Sequence, residues 1–191
     1  MPILFAHFDT AIGRCAIAWS AGGVVGVQLP EANEPKTRSR VLQRFPNALE
    51  TVPPPGVAAV RDALAGLLRG MPSDLSFVRL DMDALPPFHR RVYEAARAIP
   101  WGASTTYGGL AKVAGATGAA RAVGQALARN PFALIVPCHR VVAAGRRIGG
   151  FLAHGGITMK LRLLAIEGHV SAAQANRAPG LFDVPRAAVR M

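Results

Sequence analysis

In the run Leu134-Ile135-Val136-Pro137-Cys138-His139-Arg140-Val141-Val142 an apolar stretch is interrupted by a thiol, an imidazole and a guanidinium. Pro137 fixes φ just before Cys138, and the positive charge of His139 and Arg140 just after it is expected to lower the thiol pKa and favour the nucleophilic thiolate. The plain alternative is a buried structural cysteine, since a free cysteine is often only a small core hydrophobe. Against it, a core strand has no use for an imidazole and a guanidinium in mid-run, because burying them without partners is costly. The chemistry expected is attack by sulfur on an electrophile.

The elements around this run must hold the thiol and bring a substrate to it. The run itself reads as a buried strand. Upstream, Phe88 to Ile99 carries Phe88, Val92, Ala95 and Ala96 on one face and stops at Pro100. Ser104 or Thr105 is then expected to cap a helix through Tyr107, Leu110 and Val113, and Thr117 a helix from Gly118 to Arg129. Two short helices joined by a tight glycine-containing turn are a helix-turn-helix signature. The second has a thin surface of Gly118, Ala119, Ala120, Gly124 and Ala128, while Arg121, Arg129 and Asn130 offer donors to phosphates or base edges. Downstream, residues 143–156 form a glycine-rich loop long enough to wall a pocket. A last helix begins at Thr158 and closes at Glu167-Gly168. Glu167 opposes the helix macrodipole there and so calls for a partner, a protonated or hydrogen-bonded imidazole being a good candidate.

Charge is divided unevenly. Residues 1–86 hold eight basic and eight acidic side chains, whereas the remainder holds fourteen basic against three acidic, so all of the formal +11 lies in the second part. A basic half beside a neutral one suggests contact with a polyanion, most simply nucleic acid, although an arginine-rich surface serving solubility would look similar. Two distant cysteines, no signal peptide and no run of 18 apolar residues point to a reducing cytoplasmic setting without disulfides or a membrane span. No cysteine–histidine cluster has zinc spacing, and neither metal nor cofactor is expected.

The first 86 residues read as a small α+β domain. Three apolar runs at 3–6, 15–19 and 24–27, separated by turns, suggest an antiparallel meander with Cys15 in its core. Residues 35–45 read as a basic helix, 51–56 as a stiff proline-rich connector, 57–69 as a second helix, and 75–80 as another strand. Pro86-Pro87 marks the boundary with a second domain at 87–170, and 171–191 reads as a loosely held tail.

Tyr107, Ala120-Arg121-Ala122-Val123-Gly124, Asn130-Pro131, the run Pro137 to Val142, and Gly155-Gly156 with Lys160, Leu163-Leu164 and Glu167-Gly168 together closely resemble the O6-alkylguanine-DNA alkyltransferases, densely over residues 87–169. The resemblance implies a ribonuclease H-like N-terminal domain followed by a mainly helical winged helix-turn-helix domain. It implies that Cys138 accepts the alkyl group, His139 deprotonates it through a water, Glu167 orients His139, Asn130 braces the hinge and Tyr107 assists the leaving base. It also implies that the lesion is flipped out of duplex DNA, with Arg121 filling the gap and Thr106, Ala120, Gly124, Arg129 and Arg140 at the DNA. Val141, Gly149, Gly150, Phe151, His154 and Lys160 would line the substrate pocket. The partner is double-stranded DNA containing O6-alkylguanine, engaged by a monomer away from any membrane. No second thiol or activated water is placed to remove the alkyl group, so each molecule reacts once.

This chain departs from better-known members in the segment Phe151-Leu152-Ala153-His154, which is two residues longer than their aromatic-plus-hydroxyl pair before the glycines. Some members bind zinc in the N-terminal domain, but His7, Cys15 and His89 lack a fourth partner here. Three rivals remain at this point. A helix-turn-helix regulator would leave Cys138 idle, a non-catalytic lesion-binding relative would lack the thiol, and a thiol hydrolase would have no need of a basic surface.

Overall fold

The computed structural model describes residues 2–145 and 147–169, and the tail at 171–191 lies outside them. The architecture is mixed α+β. The described residues divide into two compact units, one made of those up to 84 together with 131–135 and the other of 85–130 together with those from 136 to 169. The short segment 131–135 thus falls with the first unit, although the proline pair at 86–87 leaves it in the second half of the sequence.

In the first unit, β1 (Leu4–Thr10), β2 (Gly13–Ser20) and β3 (Gly23–Gln28) form the expected antiparallel meander, and the short β4 (Leu49–Glu50) adds parallel to β1, giving the order β3-β2-β1-β4. Helix α1 (Glu34–Arg44) is capped by Asn33, whose side chain accepts from Lys36 N. Its Val41 packs on Phe5, Ala16 and Ala18 of the sheet. Ala6 and Phe8 point the other way along β1, as a period of two demands, and are buried as well. Helix α2 (Pro55–Leu67) starts inside the expected connector, with Pro55 in its first turn where a missing N–H costs nothing. Cys15 is fully buried, and burial pushes its thiol up to about 12 against the opposing hydrogen bond from Thr10.

Residues 75–80 do not form the expected strand. Only Leu80 makes a bridge, parallel to Val24, because Asp74 folds back on Ser76 through two hydrogen bonds and turns the chain.

The second unit contains α3 (Pro87–Arg97), α4 (Tyr107–Val113), α5 (Ala120–Ala128) and α6 (Gly156–Ile166), with a two-residue parallel pair of β5 (Thr105–Thr106) and β6 (Val141–Val142). The caps differ from those expected. Thr106, not Ser104 or Thr105, caps α4 by accepting from Gly109 N, and α5 begins after Ala119 without a side-chain cap. Tyr93, fully buried on α3, ties that helix to α5 by donating to Ala126 O at 2.8 Å. Val142, Ile148, Leu161 and Leu164 form the core beneath the glycine-rich loop. Among the described residues no helix is long and apolar enough to cross a membrane.

Candidate active site around Cys138

The run 134–142 is not a strand. Leu134 sits at φ 71, a left-handed conformation costly for a side chain of this kind, and the chain then tightens into a 3-10 turn at Cys138–Arg140. Cys138 N donates to Val136 O at 2.8 Å and Arg140 N to Pro137 O at 2.9 Å. Pro131 and Pro137 withhold the N–H groups a strand ladder would need. Only Val141 and Val142 pair, with Thr105 and Thr106. At three residues per turn, the side chains of Cys138, His139 and Arg140 leave the backbone in three directions.

Two of those directions converge on Glu167, the residue that closes α6. His139 Nε2 lies 2.8 Å from Oε1. Arg140 donates from Nε to Oε2 at 2.9 Å, from Nη2 to Oε1 at 3.0 Å, and from Nη1 to Ile99 O at 2.6 Å. Trp101 stacks beneath the guanidinium, 5.9 Å from ring centre to Cζ. The partner Glu167 calls for is therefore both an imidazole and a guanidinium. Burial alone would raise the carboxyl, but hydrogen bonds from His139 and Arg140 together with the Arg140 charge outweigh it and hold the group down at about 2.

The expected thiol activation by adjacent positive charge is overturned. Burial is the dominant influence and lifts the Cys138 thiol above its ordinary value, with the Asn130 side chain and the Lys160 charge opposing it. The physical reason is that Arg140 spends its donors on Glu167 and Ile99, while burial pulls His139 down and keeps its imidazole neutral. A neutral imidazole whose Nε2–H faces a carboxylate presents Nδ1 as its acceptor nitrogen. The resting pair is thus a thiol and a base.

Asn130 donates to Val136 O at 2.9 Å, joining the two ends of the 131–135 segment, and also bonds the thiol. Lys160 is fully buried, donates to Val141 O at 2.6 Å and Gly150 O at 3.4 Å, and lies 5.7 Å from the Tyr107 ring centre. Burial lowers its ammonium to about 8, opposed by Cys138. Tyr107 is raised by burial and then by the Cys138 charge, so its phenol keeps its proton. Gly149 packs against this ring. With φ +75, an added Cβ would come within 3.1 Å of Tyr107 Cε2 and 3.2 Å of its Oη. Gly149→Ala is expected to lose about 1–2 kcal/mol in urea unfolding, whereas Gly150→Ala, with open space around its Cβ, should stay within about 0.5 kcal/mol.

The other expected residues are distributed as follows. Arg121 is exposed on α5 and Arg129 just after its end, Ala120 and Gly124 are partly buried on the same helix, and Thr106 is partly buried at the start of α4. Arg140 is corrected: it is 8% exposed with its guanidinium committed internally, so it does not present a DNA-contacting surface. Phe151 is half-buried and His154 exposed in the loop. Val141 O already accepts from Lys160, leaving one lone pair for any other donor. Among the described residues no cluster of three His, Cys, Asp or Glu could hold a metal.

Sequence reading missed Gly102, Ser104 and His169. Gly102 N donates to Glu167 Oε2 at 3.3 Å, and His169 bonds both Gly102 O and Ser104. The available signal was an imidazole two residues beyond the lone carboxylate that closes α6.

A family model described as "6-O-methylguanine DNA methyltransferase, DNA binding domain" matches residues 87–169. The methylated-DNA–protein-cysteine methyltransferase of Mycobacterium leprae is 40% identical over 116 residues, 60% of this chain and 69% of that protein. The chain belongs to the 6-O-methylguanine-DNA methyltransferase family. The methylated-DNA–protein-cysteine methyltransferase of Methanothermobacter thermautotrophicus extends the match to 152 residues at 32% identity, 80% of this chain and 78% of that relative. The crystal structure of Mycobacterium tuberculosis OGT in complex with DNA is similar with a TM-score of 0.69 and 29% identity, over 90% of this chain and 98% of that one. The match to the family model spans Tyr107, the thiol turn and the Glu167 end of α6.

Proposed function

We propose that this protein repairs DNA by transferring the alkyl group of a flipped-out O6-alkylguanine to its own Cys138, once per molecule. The observation that carries the reading is the buried His139–Glu167 pair, 2.8 Å apart, in which His139 shares its tight turn with the thiol and Glu167 reaches it from the end of α6. His139 accepts the Cys138 proton at Nδ1 through a water, and Glu167 stabilises the imidazolium that results. Sulfur attacks the alkyl carbon, the S–C bond forms as the C–O bond breaks, and guanine leaves with the electron pair. Tyr107, whose phenol stays protonated, supplies the hydrogen bond or proton that makes guanine a better leaving group. Asn130 braces the turn, and Lys160 holds the carbonyls of Val141 and Gly150 at the pocket wall formed with Gly149, Phe151 and His154.

In this reading α4 and α5 are the helix-turn-helix of a winged domain at 87–170. Arg121 fills the vacated stack, Thr106, Ala120, Gly124 and Arg129 lie along the duplex, and the first 86 residues form a ribonuclease H-like domain. The thin face of α5 and the concentration of positive charge in the second part of the chain support that placement. Both cysteines are free, which fits the cytoplasm.

The test is intact-protein mass after incubation with duplex containing O6-methylguanine. The expected result is a gain of one methyl per molecule that does not turn over, mapped to the peptide carrying Cys138. Binding of the duplex with no change in mass would instead favour a non-catalytic lesion binder.

A further inference from the structure

We propose that His169 is a positioning residue for the Glu167–His139 pair, acting through the backbone of Gly102. The proposal rests on the reading of Cys138 as the alkyl acceptor and concerns a residue that never touches the substrate. Glu167 takes donors on both oxygens, and among the described residues all but one come from His139 and Arg140, the two residues that follow Cys138 in its turn. The exception is Gly102 N–H, which reaches Oε2 at 3.3 Å from the connection between α3 and β5. Gly102 has φ +68, so its N–H direction depends on a backbone conformation that a free loop would leave readily.

His169 holds it there. Its Nδ1 lies 3.0 Å from Gly102 O, and its Nε2 lies 2.8 Å from Ser104 Oγ. A carbonyl oxygen can only accept, so Nδ1 carries the hydrogen, and in the neutral ring Nε2 must then accept from the Ser104 hydroxyl. Both partners are out of water, His169 at 4% and Ser104 at 1% exposure, so neither bond has a solvent substitute. The result is a closed chain of contacts running from Ser104 through His169 and Gly102 to Glu167 and then His139. Without the Gly102 donor, the carboxylate is free to turn toward the arginine fork and away from the imidazole. The charged or titratable groups nearest His169 are Glu167, His139 and Arg140, and no change in its protonation is invoked.

The test exploits the two ring nitrogens. In His169→Asn the amide nitrogen can occupy the place of Nδ1 and keep the bond to Gly102 O, whereas in His169→Gln the amide reaches the place of Nε2 and serves Ser104 only. Single-turnover methyl transfer from an O6-methylguanine duplex at saturating protein is measured beside the equilibrium affinity for the same duplex. The Asn variant is expected within about threefold of wild type and the Gln variant at least about tenfold slower, both with unchanged affinity. Equal rates in the two variants, or a loss explained by affinity, would overturn the proposal. Failure of the wild type itself to accept a methyl would sink the Cys138 reading instead. Should either variant fail to fold, imidazole nitrogen shifts of the wild type decide. Nδ1–H with a bare Nε2 is expected at neutral pH, and hydrogen on Nε2 alone or on both nitrogens would refute it.

Discussion

Cys138→Ser is expected to bind methylated duplex about as well as wild type and to gain no methyl over hours, a loss of at least about a thousandfold in transfer. The exchange is nearly isosteric at a partly buried position, so folding and the DNA-facing residues should be undisturbed. What changes is the atom that attacks. A hydroxyl is far less acidic than a thiol, and a neutral imidazole buried beside Glu167 cannot ionise it usefully. The same geometry sets a second outcome for wild type. Burial lifts the thiol rather than ionising it, so iodoacetamide should modify Cys138 slowly at neutral pH while the methylated duplex reacts fast. Rapid labelling by iodoacetamide would mean that the thiolate is already present and that His139 is not required as the base. Intact mass reads both arms.

That prediction depends on a point that the sequence conceals. The adjacency of His139 and Arg140 to Cys138 is visible in the chain, and the natural inference is that their charge activates sulfur directly. A 3-10 turn sends the three side chains apart, however, and only the three-dimensional arrangement reveals that Arg140 is spent on Glu167 and Ile99. The lone Glu167 at a helix end could be flagged as needing a partner because the macrodipole disfavours it. Its second partner could not, since nothing local distinguishes a buried arginine from an exposed one. The meander and most helix spans were legible from apolar periodicity and proline punctuation, as at Pro87, although α2 begins at Pro55 inside the stretch read as a connector. The strand expected over 134–142 failed because apolar composition cannot tell a strand from a buried turn. Gly102, Ser104 and His169 escaped because each matters through backbone groups or through partners more than 60 residues away.

Glu167→Gln should be the most damaging substitution for stability, about 3–5 kcal/mol by denaturant unfolding. The neutral amide leaves the Arg140 guanidinium buried at 8% exposure without a counter-charge, and its NH2 cannot accept from Arg140 as an oxygen does. The pH dependence follows from the carboxyl itself. Its folded pKa, about 2, lies below the ordinary 4.5, so the stability it contributes is complete above about pH 5 and is lost as pH falls toward 2. Over that window the wild type should forfeit about 3 kcal/mol that the Gln variant never had, and the two stability curves should converge on acidification. Transfer should fall too, because His139 loses the charge that stabilises its protonated form. Structural and chemical roles separate in the double variant Glu167→Gln, Arg140→Met. Removing the orphaned guanidinium should restore most of the stability, as buried ion pairs replaced by apolar groups often do, while methyl transfer stays at the level of Glu167→Gln. Recovery of transfer together with stability would show that Glu167 only holds the turn in shape and takes no part in the proton's path.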